Sequence, residues 1–152
     1  MRIALVHPQI PPNTGNVARL CAATRTPLHL VRPLGFKISD RHLKRAGLDY
    51  WEFLDLIVHD DLESFLAAVP ETSLAFFSKK AGPSYVRADL SGDVTLVFGS
   101  ETEGLPRELW DRFGRRFWRI PLLHPGVRSL NLSSAVAAAA YEALRQQKRL
   151  NS

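Results

Sequence analysis

Val94-Thr95-Leu96-Val97-Phe98-Gly99-Ser100-Glu101-Thr102-Glu103-Gly104-Leu105-Pro106 is the stretch on which the fold turns. Val94–Phe98 is a short apolar run that breaks at Gly99 into a polar loop, as expected of a strand buried on both faces. Pro106 then stands in the first turn of a helix expected over Leu105–Phe113, where a missing N–H costs nothing. Working outward, the same alternation recurs. Upstream lie strand candidates Leu74–Phe77, Leu54–Val58, Leu28–Val31 and Ile3–Val6, the last bounded by His7-Pro8. Between them the pattern predicts helices over Leu62–Val69, capped by Asp60 or Asp61, and over Asn13–Thr24, capped by Asn13 or Thr14. Ser39-Asp40 opens a short basic helix ending near Gly47. Downstream, Phe117–Ile120 is the last strand and Asn131–Arg149 the longest helix. Strands alternating with helices imply an α/β fold: a mostly parallel sheet with helices on both faces.

The composition limits the function classes. The chain has 152 residues, with 20 Lys+Arg against 15 Asp+Glu and a net charge of +5. That length suits a single domain over residues 1–152 with a core large enough to need no metal or disulfide staple. Cys21 is the one cysteine, so an internal disulfide and a Cys-rich zinc site are excluded. No apolar run is long enough to span a bilayer, and the N-terminal apolar stretch is too short for a secretory signal. The expectation is a cytoplasmic protein with no membrane partner and no metal. A pI near 9.8 and arginine-rich clusters at Arg107–Arg119, Arg41–Arg45 and Arg145–Arg149 suit a nucleic-acid binder, though evenly spread charge would serve solubility alone.

In parallel sheets ligands bind beyond the carboxyl ends of the strands. Three loops there couple Gly or Pro with polar groups: Pro8–Asn16, Gly99–Pro106 and Pro121–Asn131. None is a dinucleotide cradle, because the turn after the first strand holds one glycine and three prolines rather than G-x-G-x-x-G. The 99–104 loop has P-loop glycine spacing but Leu105 in place of lysine, and its two acids repel phosphate. ATP hydrolysis and nicotinamide chemistry are therefore disfavoured.

Ile10-Pro11-Pro12-Asn13-Thr14-Gly15-Asn16-Val17-Ala18-Arg19 resembles the first motif of the SPOUT-class (SpoU/TrmH-like) RNA ribose 2′-O-methyltransferases. Val97–Pro106 is similar to their second motif, and Ile120-Pro121 with Arg128-Ser129-Leu130-Asn131-Leu132-Ser133-Ser134-Ala135 to their third. The motifs occur in family order, and the short chain looks most like the YibK-like (TrmL) branch, which methylates the wobble nucleotide, C or modified U, of leucine tRNAs. Glu103 stands where that branch often has a basic residue, and His124-Pro125-Gly126-Val127 is a local variation. The resemblance implies a SPOUT fold with a C-terminal trefoil knot, S-adenosylmethionine as donor with S-adenosylhomocysteine as product, tRNA as partner, and a homodimer. Ribose methylation of rRNA or of another tRNA position, and a non-catalytic RNA-binding role on the same scaffold, are the alternatives.

By the same resemblance Phe77, Gly99, Ile120, Leu122, Ser129, Leu130 and Ser134 form the cofactor pocket. Phe77, Ile120 and Leu122 also read as core, and Ser129 and Asn131 as caps of the last helix, whose N-terminus suits a cofactor carboxylate. The implied catalytic set is Arg19, Asn16, Glu101 and Asn131, with Asn13, Arg19 and Tyr141 toward substrate. Asn13, Asn16 and Arg19 recur at three-residue spacing, which places them near one helix face. Arg19 is either a general base or a positioning cation; deprotonating an arginine at pH 7 costs at least ~7 kcal/mol, which favours the cation. Glu101 either holds Arg19 or approaches the positive sulfonium. Cys21 and the histidines show no ligand spacing. Leu132, Ala135, Val136, Ala139, Ala140, Ala143 and Leu144 make a small-residue face suited to core packing or to a dimer contact.

Overall fold

Six parallel strands form one sheet in the order β3-β2-β1-β5-β4-β6 in the computed structural model, which describes residues 1–152 except 40, 42, 44, 46, 47, 151 and 152. The strands are β1 (Arg2–Val6), β2 (Leu28–Val31), β3 (Leu56–His59), β4 (Leu74–Phe77), β5 (Thr95–Phe98) and β6 (Phe117–Trp118). The helices are α1 (Pro11–Thr24), α2 (Leu62–Ala68), α3 (Arg107–Phe113) and α4 (Leu132–Gln146). Of the short basic helix expected from Ser39-Asp40 to Gly47, Arg41, Leu43 and Arg45 are helical and Leu43 is buried; positions 40, 42, 44, 46 and 47 lie outside the described residues.

Alternate side chains of the strands feed two cores, which is why the strands read as unbroken apolar runs. Ile3, Leu5, Leu28, Leu30, Leu96 and Phe98 face Val17 and Cys21 of α1 and Val136, Ala139 and Ala143 of α4. Ala4, Val6, Val31, Phe76 and Val97 face Leu62 and Phe65 of α2 and Leu109 and Phe113 of α3. The chain builds outward from β1 to β3, then crosses to the other side of β1 for the remaining strands. β1 and β5 therefore meet at the point where strand order reverses, and the loops that follow them open the crevice where such sheets bind ligands.

Several expectations need correction. α1 starts at Pro11, so neither Asn13 nor Thr14 is its cap; Ile10 holds that position without a side-chain bond. The prolines are tolerated there because first-turn N–H groups have no helical partner. α3 begins at Arg107 with Pro106 as its N-cap. β3 starts two residues late, since Leu54 closes a turn onto Trp51 through its amide. β6 ends at Trp118, and Arg119 makes only an isolated bridge to Ser84. The alanine stripe is interior: Val136, Ala139, Ala140 and Ala143 are fully buried in their own chain. Small side chains there let α4 approach α1 and β5, so of the two expected uses of that face it serves core packing, and the buried residues of the stripe are not available as a dimer contact.

Candidate active site

The cavity sits beyond the carboxyl ends of β4, β5 and β6 and has a volume of about 460 Å³. Its floor is set by backbone. Ser100 and Gly104 exchange two amide hydrogen bonds, Ser100 N–H to Gly104 O at 3.2 Å and Gly104 N–H to Ser100 O at 3.0 Å. This folds the loop back so tightly that a Cβ on Gly99 would lie 2.1 Å from the Gly104 carbonyl carbon. Gly104 itself has φ of +75°, which a side chain would strain. The Ser100 hydroxyl accepts from the Glu103 amide at 3.1 Å, closing the turn further.

Glu101 joins this loop to the one after β1. Its carboxylate accepts from the amides of Gln9 at 2.8 Å and Ile10 at 3.0 Å and from the Asn13 side-chain amide at 3.3 Å. Glu101 thus holds, from far along the chain, the two amides that lead into α1, and its hydrogen bonds go to these groups rather than to Arg19. Asn13 Oδ1 in turn accepts from Asn131 Nδ2 at 2.9 Å. Asn131 is the N-cap of α4, accepting from the Ser133 amide at 2.9 Å. One chain of polar contacts, Glu101–Asn13–Asn131, therefore ties together all three motif loops.

The expected residues divide in two. Phe77, Gly99, Ile120, Leu122, Ser129 and Leu130 line the cavity, as do Asn13, Glu101 and Asn131. Ser134 does not; it is exposed on the first turn of α4. Asn16 and Arg19 are also exposed and outside the cavity lining, whereas Asn13 is buried. Three-residue steps explain this, because each falls about 60° short of a full turn, leaving Asn13 and Arg19 about 120° apart around the helix. Tyr141 is 48% exposed on α4. Arg19 instead stacks on Tyr50, its guanidinium carbon 4.9 Å from the ring centroid.

Sequence reasoning missed Lys79, Lys80 and Trp110, all of which line the cavity. The lysines come one residue beyond the apolar run Leu74–Phe77, after Ser78, so the carboxyl-end rule would have found them. Trp110 is placed by α3 and stacks on Phe117 with ring centroids 3.7 Å apart, which only tertiary packing reveals. A smaller cleft of about 230 Å³, lined by Lys79, Arg119 and Arg128, adjoins the cavity. Among the described residues no three His, Cys, Asp or Glu side chains gather as metal donors, and no helix is long and apolar enough to cross a membrane. Cys21 is buried, and burial pushes its thiol up to about 12. That leaves it protonated and unreactive near neutral pH.

Residues 1–141 match the model of the SpoU rRNA Methylase family. A tRNA (cytidine(34)-2′-O)-methyltransferase from Burkholderia cenocepacia is 50% identical over 148 residues, covering 95% of this chain and 94% of the relative. One of the same name from Methylovorus glucosotrophus is 49% identical over 146 residues, with 95% and 94% covered. A solved structure described as giving insights into the 2-OH methylation of C/U34 on tRNA is 48% identical, with a TM-score of 0.89 over 97% of this chain and 95% of that one. An AdoMet-bound rRNA methyltransferase from Sinorhizobium meliloti is 25% identical, with a TM-score of 0.84 over 95% of this chain and 55% of that one.

Proposed function

The chain belongs to the SpoU methylase family, and from that premise we propose that it methylates the ribose 2′-hydroxyl of nucleotide 34, a cytidine or a modified uridine, in tRNA. The observation that carries this is the half-identity, over nearly the full length of both chains, to enzymes named for that reaction. S-adenosylmethionine, when bound, supplies a methyl group on a positively charged sulfur. The cavity fits such a donor: its volume of about 460 Å³ falls in the range of small-molecule sites, and apolar walls with a few polar groups suit an adenine and an amino-acid tail. In this reading Phe77, Gly99, Ile120, Leu122, Ser129 and Leu130 hold the donor, with Ser134 at the margin. Asn13, Glu101 and Asn131 keep the loops in register.

Arg19 acts on the RNA. As a cation it holds the phosphate beside the acceptor and stabilises the charge that develops on the ribose oxygen, which asks less of the site than proton abstraction. Asn16, one helical turn away, orients the ribose. Since Asn16, Arg19 and Tyr141 stand in solvent outside their own chain's cavity, the reading includes a homodimer. One subunit's cavity would meet the Arg19 face of the other. The exposed side of α4 around Tyr141, together with exposed Leu123, Val127 and Leu130, supports that contact. The same reading takes residues 1–152 as one catalytic domain acting in the cytoplasm, where tRNA is modified. It also takes the stretch after β6, which returns from the sheet edge to pack α4 against α1 and β5, as a trefoil knot.

The deciding experiment incubates the protein with labelled S-adenosylmethionine and, separately, bulk tRNA and rRNA, then maps the labelled nucleoside, leucine tRNAs first. Label in 2′-O-methylcytidine or a 2′-O-methylated uridine at position 34 is expected. Label elsewhere in tRNA, or only in rRNA, would reassign the target; S-adenosylhomocysteine binding with no label in any RNA would leave a binding scaffold. The dimer is tested by mixing Arg19→Ala with a cavity variant, Gly99→Ala, whose change lies away from the exposed residues of the contact. Shared sites restore part of the activity, whereas a monomer at micromolar concentration overturns that part of the reading.

A further inference from the structure

The 3₁₀ turn Leu48–Phe53 lies against α1. Trp51 anchors it by packing on the core shared by β1 and α1, which leaves Tyr50 on a fixed platform beside Arg19. The guanidinium carbon of Arg19 lies 4.9 Å from the Tyr50 ring centroid, and Arg19 Nη2 donates a long hydrogen bond of 3.4 Å to Tyr50 Oη. Among the described residues no carboxylate bonds to Arg19. We propose that Tyr50 is a positioning residue for Arg19, holding the guanidinium over its ring in the orientation that meets the RNA. This rests on the methyltransferase reading above.

The choice of an aromatic partner has a physical consequence. A carboxylate would hold the guanidinium equally well but would cancel its field where the substrate phosphate must bind, and would occupy the donor pair that forks onto phosphate. A ring face attracts the cation without neutralising it. Of the five N–H donors of an arginine, Tyr50 engages one, and weakly. The remaining donors stay free for a bidentate phosphate contact. Because Arg19 is exposed and its side chain long, an unrestrained guanidinium would spread over many rotamers; the stack narrows them before RNA arrives.

The test compares Tyr50→Leu, Tyr50→Phe and Arg19→Ala by four measurements: kcat for tRNA methylation, tRNA affinity, S-adenosylhomocysteine affinity, and Tm. Tyr50→Leu is expected to lower kcat by about tenfold, the size of one ring–cation contact, and to weaken tRNA binding. Cofactor affinity should stay within about twofold and Tm within about 2 °C. Tyr50→Phe keeps the ring and should recover most of kcat. Wild-type kcat in Tyr50→Leu, in an enzyme that Arg19→Ala inactivates, would overturn the positioning role, as would a loss that follows Tm or cofactor affinity. Full methylation by Arg19→Ala would instead remove the reading on which the inference rests, and the inference with it.

Discussion

β4, β5 and β6 end on a cavity already formed within one chain, whereas β1, β2 and β3 belong to a half whose expected reactive groups stand in solvent. On the first side, backbone contacts at Gly99 and Gly104 and the Glu101 carboxylate fix the walls before any ligand arrives. On the second, Arg19 has one aromatic partner, and the two buried histidines, His29 and His59, serve each other rather than a site. The difference follows from what each side is proposed to bind. A small donor is gripped best by a rigid, largely preformed pocket, while a polyanion is met by cations on an open face. Glu101 is the link between the two, rooted in the loop after β5 and gripping the loop after β1.

The largest effect is expected at Gly99. The Cβ of Gly99→Ala would lie 2.1 to 2.3 Å from backbone atoms of Gly104 and Leu105. Backbone cannot yield as a flexible side chain can. The loop must therefore open, at a cost of about 3 kcal/mol, the upper end of what overpacking costs, and the thermal stabilisation by S-adenosylhomocysteine should vanish. A Gly99→Ala protein that still binds cofactor would show that the donor side is not set by this contact. Arg19→Ala probes the other side: methylation should fall at least about 100-fold, with Tm and cofactor affinity retained. Lost cofactor affinity would make Arg19 part of the donor side and erase the contrast.

Acid should strike the β2–β3 edge selectively. His29 Nδ1 and His59 Nε2 lie 2.8 Å apart, and Phe65 of α2 covers both rings. One ring must donate and the other accept, so protonating the acceptor breaks the pair. Burial, then the neighbouring His59, pushes His29 down to about 4, and burial lowers His59 as well. The unfolded chain takes up protons near pH 6.5, before the folded one does, so stability is whole above that pH and falls as the pH drops toward about 4. For His29 alone the loss reaches roughly 3 kcal/mol, at 1.36 kcal/mol per pH unit. Urea unfolding at pH 7, 5.5 and 4.5 should show the slope in the natural protein and a flatter one in a His29→Leu/His59→Leu double variant. Equal slopes would place the acid sensitivity elsewhere.

Glu101→Gln should give the smallest change, about 1–2 kcal/mol by urea unfolding. An amide offers one acceptor oxygen where the carboxylate offers two, and its NH2 faces an N–H of Gln9 or Ile10. An unaffected stability would mean that the two halves do not depend on this latch.

Local pattern was enough to read the alternation of strands and helices, burial on both faces of the sheet, and the three loops that matter. Val94–Phe98 and Leu74–Phe77 could be read because a strand covered on both faces is apolar at every position, and that pattern is local. A cap for α2 at Asp60 or Asp61 was legible for the same reason, and the structure takes Asp61, whose carboxylate accepts from the Ser64 amide three residues on. The tertiary structure decided everything that joins distant residues. It put Glu101 on the amides of Gln9 and Ile10, turned Asn13 inward and left Arg19 outside, and buried the alanine stripe of α4 beneath α1. It also left Ser134 in solvent, brought Lys79, Lys80 and Trp110 to the cavity, paired His29 with His59, and set Tyr50 beside Arg19. Periodicity says which face of an element is apolar, but not what will cover it. That depends on strand order, and here β5 lies between β1 and β4 because the chain crosses back over β1, a choice no local pattern encodes.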